Sequence, residues 1–127
     1  MSATACPCGS GRALEACCGR LHGGAPAADA ESLMRSRYSA YVLGLEDYLL
    51  ATWHPATRPA ALQLDATPRA QWLGLAVKSH TPLDDTHATV EFVARYKLNG
   101  RAFRLHETSR FERVDGRWLY VDGEIRE

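Results

Sequence analysis

The residues best suited to chemistry in this sequence are four cysteines crowded into CPCGSGRALEACC, residues 6 to 18, and no other cysteine occurs in the 127 residues. Their pattern is C-x-C-x8-C-C, with Cys6 and Cys8 as one pair and Cys17 and Cys18 as the other. In a reducing compartment disulfides are disfavoured, and four soft thiolates are the donor set that tetrahedral zinc prefers. Such a shell is closed. With no position left for water or substrate, the ion would be structural and would supply folding energy to a segment too small to bury a core. Pro7 stiffens the first pair, Gly9-Ser10-Gly11 predicts a tight turn whose N–H groups could face the sulfurs, and RALEACC predicts about two helical turns ended by Gly19. Three other readings stand beside this one: unligated reduced thiols, a redox switch, and a zinc set in which His22, five residues after Cys17, replaces one thiolate. The last arises because adjacent residues of a regular element point in different directions.

The rest of the chain offers isolated titratable groups. Glu107 shares an alternation face with Phe103, Leu105 and Phe111, which places a carboxylate among core residues. It reads either as the acid of a buried ion pair that fixes helix to sheet or as a pocket acid, with Arg35, Arg37, Tyr38 or Tyr120 as neighbours. His54, between Trp53 and Pro55, is suited to general-base work by its ordinary pKa and to capping a helix C-terminus by its position. Asp122-Gly123 reads as a turn, and Trp72, Trp118 and Tyr120 as core or pocket wall. There is no nucleophile elbow, phosphate loop or second metal set.

The elements that must position these groups follow from periodicity. LHGGAPAADA, residues 21 to 30, reads as a linker in which Asp29 can cap a helix. From Glu31 the apolar positions Met34, Tyr38, Tyr41, Val42 and Leu45 recur at three and four, with Arg35 and Arg37 off that stripe and Gly44 as the stop. EDYLLATW predicts a second helix stopped by His54-Pro55. Thr67-Pro68 predicts a brief turn running to Trp72. Leu73, Leu75 and Val77 then alternate, as do Ala88, Val90, Phe92, Ala94, Tyr96 and Leu98. Asn99-Gly100 and Asp115-Gly116 are hairpin signals that place strands over about 102–114 and RWLYVDGE. Helices first and about four antiparallel strands after them predict an α+β fold.

Fifteen Lys and Arg balance fifteen Asp and Glu, so no global field gathers an anionic partner, and no nucleic-acid binding is expected. No apolar run approaches the ~20 residues that span a bilayer, and the first residues lack the charged and apolar regions of a secretory signal. No membrane insertion and a cytoplasmic location are expected.

CPCGSG followed by CCG resembles the SEC-C motif. That resemblance implies zinc binding and, as in the SecA translocation ATPase, docking to other molecules. The helix-then-sheet order resembles the NTF2-like fold, a cone in which a bent sheet wraps around N-terminal helices and leaves a pocket. With the cysteine motif, the segments LMRSRYSAYV, TWHP, WLGL, FVARY, SRF and WLYVDG resemble the YchJ family, which joins SEC-C and NTF2-like parts. The resemblance implies a knuckle over residues 1–24 and an NTF2-like domain over residues 25–127. Isomerases and dehydratases of that fold keep Asp, His and Tyr in an apolar cavity, which makes His54, Glu107 and Asp122 the pocket candidates. Two functions follow. One is a zinc-binding accessory or interaction protein, whose knuckle offers Leu14 and Leu21 beside Arg12 and Arg20 as a docking tip for a protein partner, or whose body pairs as a homodimer. The other is a small-molecule binder or a hydrolase- or isomerase-type enzyme that uses the pocket. The closed metal site favours the first, and an open, polar-lined interior would favour the second.

Overall fold

Two left-handed dipeptides set the sheet. Asn99 (φ 54°) with Gly100 (φ 76°), and Asp115 (φ 52°) with Gly116 (φ 79°), close two-residue hairpins whose twist matches that of the flanking strands. In the computed structural model, which describes residues 4–62, 64 and 69–125, the elements are a 3-10 turn (Leu14–Ala16), α1 (Cys18–His22), α2 (Ala30–Leu43), α3 (Glu46–Ala51), β1 (Gln71–Pro82), β2 (His87–Leu98), β3 (Arg101–Val114) and β4 (Arg117–Ile125). The strands form one antiparallel sheet in the order β1-β2-β3-β4, so the α+β expectation holds.

β1 departs from its expected phase. The turn predicted from Thr67-Pro68 begins outside the described residues, and by Gln71 the chain is already strand. An irregularity between Trp72 and Gly74 then drops Leu73 out of the alternation. Trp72 joins Leu75 and Val77 against the core, and Leu73 is 46% exposed. A bulge exchanges the faces of everything before it, which strict period-two reading cannot register.

The helices start and stop on local chemistry. Asp29 Oδ1 accepts the Ser32 N–H at 2.7 Å at the head of α2, Gly44 ends that helix at φ 74°, and α3 closes at Ala51, ahead of His54-Pro55. Met34 and Tyr38 pack with Val90, Phe92, Ala94 and Phe111 of the sheet. The apolar stripe understates how much of α2 is buried. Arg37, placed off the stripe by periodicity, is 5% exposed, and Ser36 and Ser39 are fully buried. The reason is that α2 is covered by the sheet, by α3 and by the cysteine segment together, so small polar residues as well as apolar ones are enclosed. Among the described residues no helix is long and apolar enough to cross a membrane.

Candidate functional site

Residues 4–6 and 12–14 run as a short antiparallel pair, with the Cys6 N–H donating to Arg12 O at 2.9 Å and the Leu14 N–H to Thr4 O at 2.8 Å. The loop between them turns at Gly9 (φ 81°) and Gly11 (φ 86°), backbone conformations that glycine adopts without strain. It sets Cys6 and Cys8 against Cys17 and Cys18. All four cysteines are buried and their sulfurs lie within 4.8 Å of one another. Cys8 Sγ is 3.7 Å from Cys17 Sγ, well beyond the ~2.05 Å of a disulfide, and all four are free thiols. One ion placed among them could touch every sulfur, and a four-thiol set is a donor shell for a soft or borderline metal.

The expected helix over RALEACC is interrupted. The 3-10 turn ends at Ala16, Cys17 takes φ −123° and ψ −114°, and α1 then continues from Cys18 through Gly19 to His22. This break lets two adjacent thiols converge, which a regular element would forbid. Gly19 does not stop a helix but permits close approach, since a Cβ there would meet Leu14 O at 2.7 Å. His22 stands apart from the sulfurs. Its Nε2 is 2.9 Å from Ser36 O and its ring meets Tyr48 edge-on at 4.7 Å, which ties α1 to α2 and α3. Ser10 Oγ (3.2 Å) and Arg12 Nη2 (3.7 Å) approach Cys17 Sγ, and Ser39 Oγ approaches Cys6 Sγ (3.6 Å). Hydrogen bonding, chiefly from Cys18, pushes Cys8 down to about 4, and the same contact together with burial raises Cys18. One thiolate is favoured, and further thiolates beside it require a cation.

The knuckle is docked on the body. Arg35 Nη1 donates to Cys8 O at 3.0 Å while its Nε holds Glu31 Oε2 at 3.0 Å, and Leu14 and Leu75 pack on the cysteine cluster.

Another side of α2 faces a cavity of about 230 Å³ against the inner face of the sheet. Met34, Trp72, Phe92, Leu105 and Phe111 give it apolar walls, and Arg37, Tyr41, Glu107, Ser109 and Tyr120 give it polar ones. Glu107 Oε2 accepts from Ser109 Oγ at 2.5 Å and from the Tyr120 hydroxyl at 3.4 Å. Arg37 Nη1 donates to Leu49 O at 2.7 Å and Thr52 Oγ1 at 2.6 Å, with its guanidinium 4.6 Å from the Tyr120 ring centroid and 5.0 Å from that of Trp53. Among the described residues Arg37 and Glu107 form no ion pair with each other. Burial lowers the Arg37 pKa and raises those of Tyr41 and Tyr120, with Glu107 adding to the rise at Tyr120. The phenols therefore stay protonated at neutral pH.

Of the three pocket candidates, Glu107 lines the cavity. His54 is used elsewhere: its N–H donates to Tyr120 O at 2.7 Å, its Nδ1 accepts the Ala56 N–H at 3.1 Å, and its Nε2 lies 3.3 Å from Glu112 Oε2. These contacts hold the exit of α3 on β3 and β4. Asp122 pairs with Arg110 on the exposed side of the sheet, and that hydrogen bond lowers its pKa. Asp122-Gly123 is not a turn. It lies within β4, where Gly123 pairs with Ser109, and Glu107 crosses over it, so a Cβ at 123 would meet Glu107 Oε2 at 2.0 Å. Ser109 could have been found as the next residue on the Glu107 face, whereas nothing local to Gly123 announces its role.

A four-cysteine knuckle able to hold a metal ion, docked on helices that cover a four-stranded antiparallel sheet with a cavity beneath, defines a SEC-C element joined to an NTF2-like domain. Known proteins agree: the SEC-C motif matches residues 4–20, and the family described as YchJ, middle NTF2-like domain, matches residues 29–123. A UPF0225 protein of Bordetella parapertussis is 61% identical over 98% of this chain and 96% of its own, and one of Ralstonia nicotianae is 61% identical over 95% and 91%. Among solved structures, a SEC-C motif containing protein from Rhodopseudomonas palustris superimposes with a TM-score of 0.84 at 35% identity, covering 96% of this chain and 98% of that one. Another from Psychrobacter arcticus gives 0.80 at 32%, covering 96% and 82%. The chain belongs to the YchJ (UPF0225) family.

Proposed function

We propose that this chain is a small-molecule-binding protein whose NTF2-like body is stapled by a structural zinc ion at Cys6, Cys8, Cys17 and Cys18. Zinc is compatible with the sulfur spacing. A tetrahedron with zinc–sulfur bonds of about 2.3 Å has edges of about 3.8 Å; Cys8 and Cys17 stand at 3.7 Å, and all four sulfurs lie within 4.8 Å of one another. Four protein ligands leave no place for a substrate, so the ion's contribution is to folding. A knuckle acting as a docking tip would keep Leu14 and Leu21 free, whereas both are half-buried and Leu14 packs on the cysteine cluster. The knuckle instead braces α2 from one side.

The observation that carries the ligand reading is the cavity on the other side, where apolar walls meet a half-buried acid and a buried guanidinium that are not paired with each other. Concave, mostly apolar sites with a few convergent polar groups are where small molecules bind. Methyl NMR spectra recorded with toluene should show shifts at Met34 and Leu105, and Ala94→Leu, which fills the cavity, should abolish them. Unmoved spectra of the parent chain would end this reading. Metal analysis should find one zinc per chain.

A further inference from the structure

We infer that the cavity selects a net-neutral ligand with a compact apolar body that carries a hydrogen-bond acceptor and a donor side by side, the chemistry of a primary or cyclic amide. This rests on the cavity being the ligand site and adds what the site recognises.

The walls specify the body of the ligand. Trp72, Phe92, Leu105 and Phe111 present rings and branched carbon, and about 230 Å³ is below the roughly 300–1,000 Å³ of drug-sized pockets. The space suits a compound of one ring. The polar end specifies the head. Arg37 turns Nη1 away to Leu49 O and Thr52 Oγ1, and among the described residues its other N–H groups have no hydrogen-bond partner. Both hydrogen bonds to Glu107 converge on Oε2, and among the described residues Oε1 has none. The one fully buried side-chain polar atom lacking a partner among the described residues is Trp53 Nε1. The open groups of Arg37 and Glu107 are therefore accessible, and the space that both residues line is this cavity.

A donor wall and an acceptor wall without a direct ion pair between them discriminate by charge. A carboxylate ligand satisfies Arg37 and sets a like charge beside Glu107. An ammonium or amidinium ligand does the reverse. Either brings an uncompensated charge into a site of low polarity, the costly case. An amide offers its carbonyl to Arg37 and its N–H to Glu107 and carries no net charge to desolvate. A purely apolar molecule of the same size fills the walls but leaves both polar groups unmet.

The test is a titration of the metal-loaded full chain at neutral pH with four single-ring probes of similar size, namely benzamide, benzoate, benzamidine and toluene, read from Met34 and Leu105 methyl shifts. Benzamide should bind at least tenfold more tightly than either ion and measurably more tightly than toluene. In Glu107→Gln, which leaves Arg37 unopposed, the preference for benzamide over benzoate should fall at least fivefold while toluene is unchanged. If toluene matches benzamide, or either ion exceeds it, the proposed class is wrong although the cavity still binds ligands. If none of the four binds, the ligand reading itself fails. Should the Gln variant not fold, the panel on the parent chain decides alone.

Discussion

Helix α2 stands between two polar clusters that are built in opposite ways. On one side, Ser39 and Arg35 reach the four-cysteine knuckle, whose like groups come from neighbouring positions and can be completed by a single ion. On the other, Arg37 lines a cavity with Glu107, Ser109 and Tyr120, unlike groups drawn from α2, β3 and β4. Like groups packed together need a cation, and once they have it they are closed. Unlike groups held apart need separate supports. Arg37 has Leu49 O, Thr52 and two aromatic rings, while Glu107 has two hydroxyls and the space over Gly123. Backbone and side-chain contacts thus hold an acid and a guanidinium apart, an arrangement that suits the proposed ligand site better than a structural ion pair.

Removing the metal should have the largest effect and would show whether the two sides are separable. Structural zinc binding in finger peptides is worth about 10–16 kcal/mol at neutral pH, so if the proposed zinc is held there, Cys8→Ser, at a fully buried sulfur, should release the ion and expose residues 5 to 20 to amide exchange first. The body has its own core and should stay folded. It loses the Arg35 and Ser39 contacts, which should lower its stability by about 1–2 kcal/mol and its melting temperature by roughly 5–10 °C. Exchange in which knuckle and body open together would make them one cooperative unit. A variant that keeps its metal would remove Cys8 from the ligand set.

The same contrast explains how far each side was legible in the sequence. The knuckle is local: four ligands within residues 6 to 18 leave spacing as a sufficient signal. Even there, the broken helix at Cys17 was invisible, because convergence of adjacent thiols is a property of one irregular φ/ψ pair. The cavity is assembled across the chain. Alternation put Glu107 on the inner face, and it does line the cavity. Arg37 was misplaced because a helical stripe is defined by apolar residues, while α2 is enclosed on more than one side. The bulge at Leu73 and the through-running β4 at Asp122-Gly123 were missed because the first shifts face without changing composition and the second uses a turn-forming pair for open space.

The cavity side is sharpened at Gly123. A Cβ there would stand 2.0 Å from Glu107 Oε2 and 2.4 Å from its carboxyl carbon, so Gly123→Ala must push the acid off its two hydroxyl partners and should cost about 1–2 kcal/mol, the worth of those hydrogen bonds. In a Glu107→Ala background the same change should cost under about 0.5 kcal/mol, and the difference measures the coupling. Glu107→Gln alone should stay within about 1 kcal/mol of the parent, since the amide oxygen can still accept from Ser109 and Tyr120. Breaking a buried ion pair costs about 3–5 kcal/mol. A loss of that size in the chemical denaturation of Glu107→Gln would mean that Arg37 depends on this carboxylate, and the two charges would then be a pair, not the two walls of a site.

The smallest effect belongs to a third cluster that is fully exposed, and it sets the floor for the other two. At the tip of the β1–β2 hairpin, Asp84 Oδ1 accepts the Thr86 N–H at 2.8 Å and the Thr86 hydroxyl at 3.1 Å, and lies 3.0 Å from His87 Nδ1. These contacts, the Thr86 N–H first and His87 next, hold its carboxyl down to about 2. Because the folded value lies below the ~3.9 of an unfolded aspartate, its stabilising contribution is present above that pH and is lost as pH falls through about 2. A carbon-detected titration of the Asp84 carboxyl should give that midpoint, with the Thr86 amide shift following it. Water and salt screen such a site, so at pH 7 Asp84→Asn should leave the melt unresolved from that of the parent. Asp84 makes more polar contacts than Glu107, whose two are at 2.5 and 3.4 Å, and the two sites differ in burial. If Asp84→Asn lowered the melt as far as Gly123→Ala does, burial would not be what gives the cavity cluster its weight, and the case for treating Arg37 and Glu107 as high-stakes groups waiting for a ligand would weaken with it.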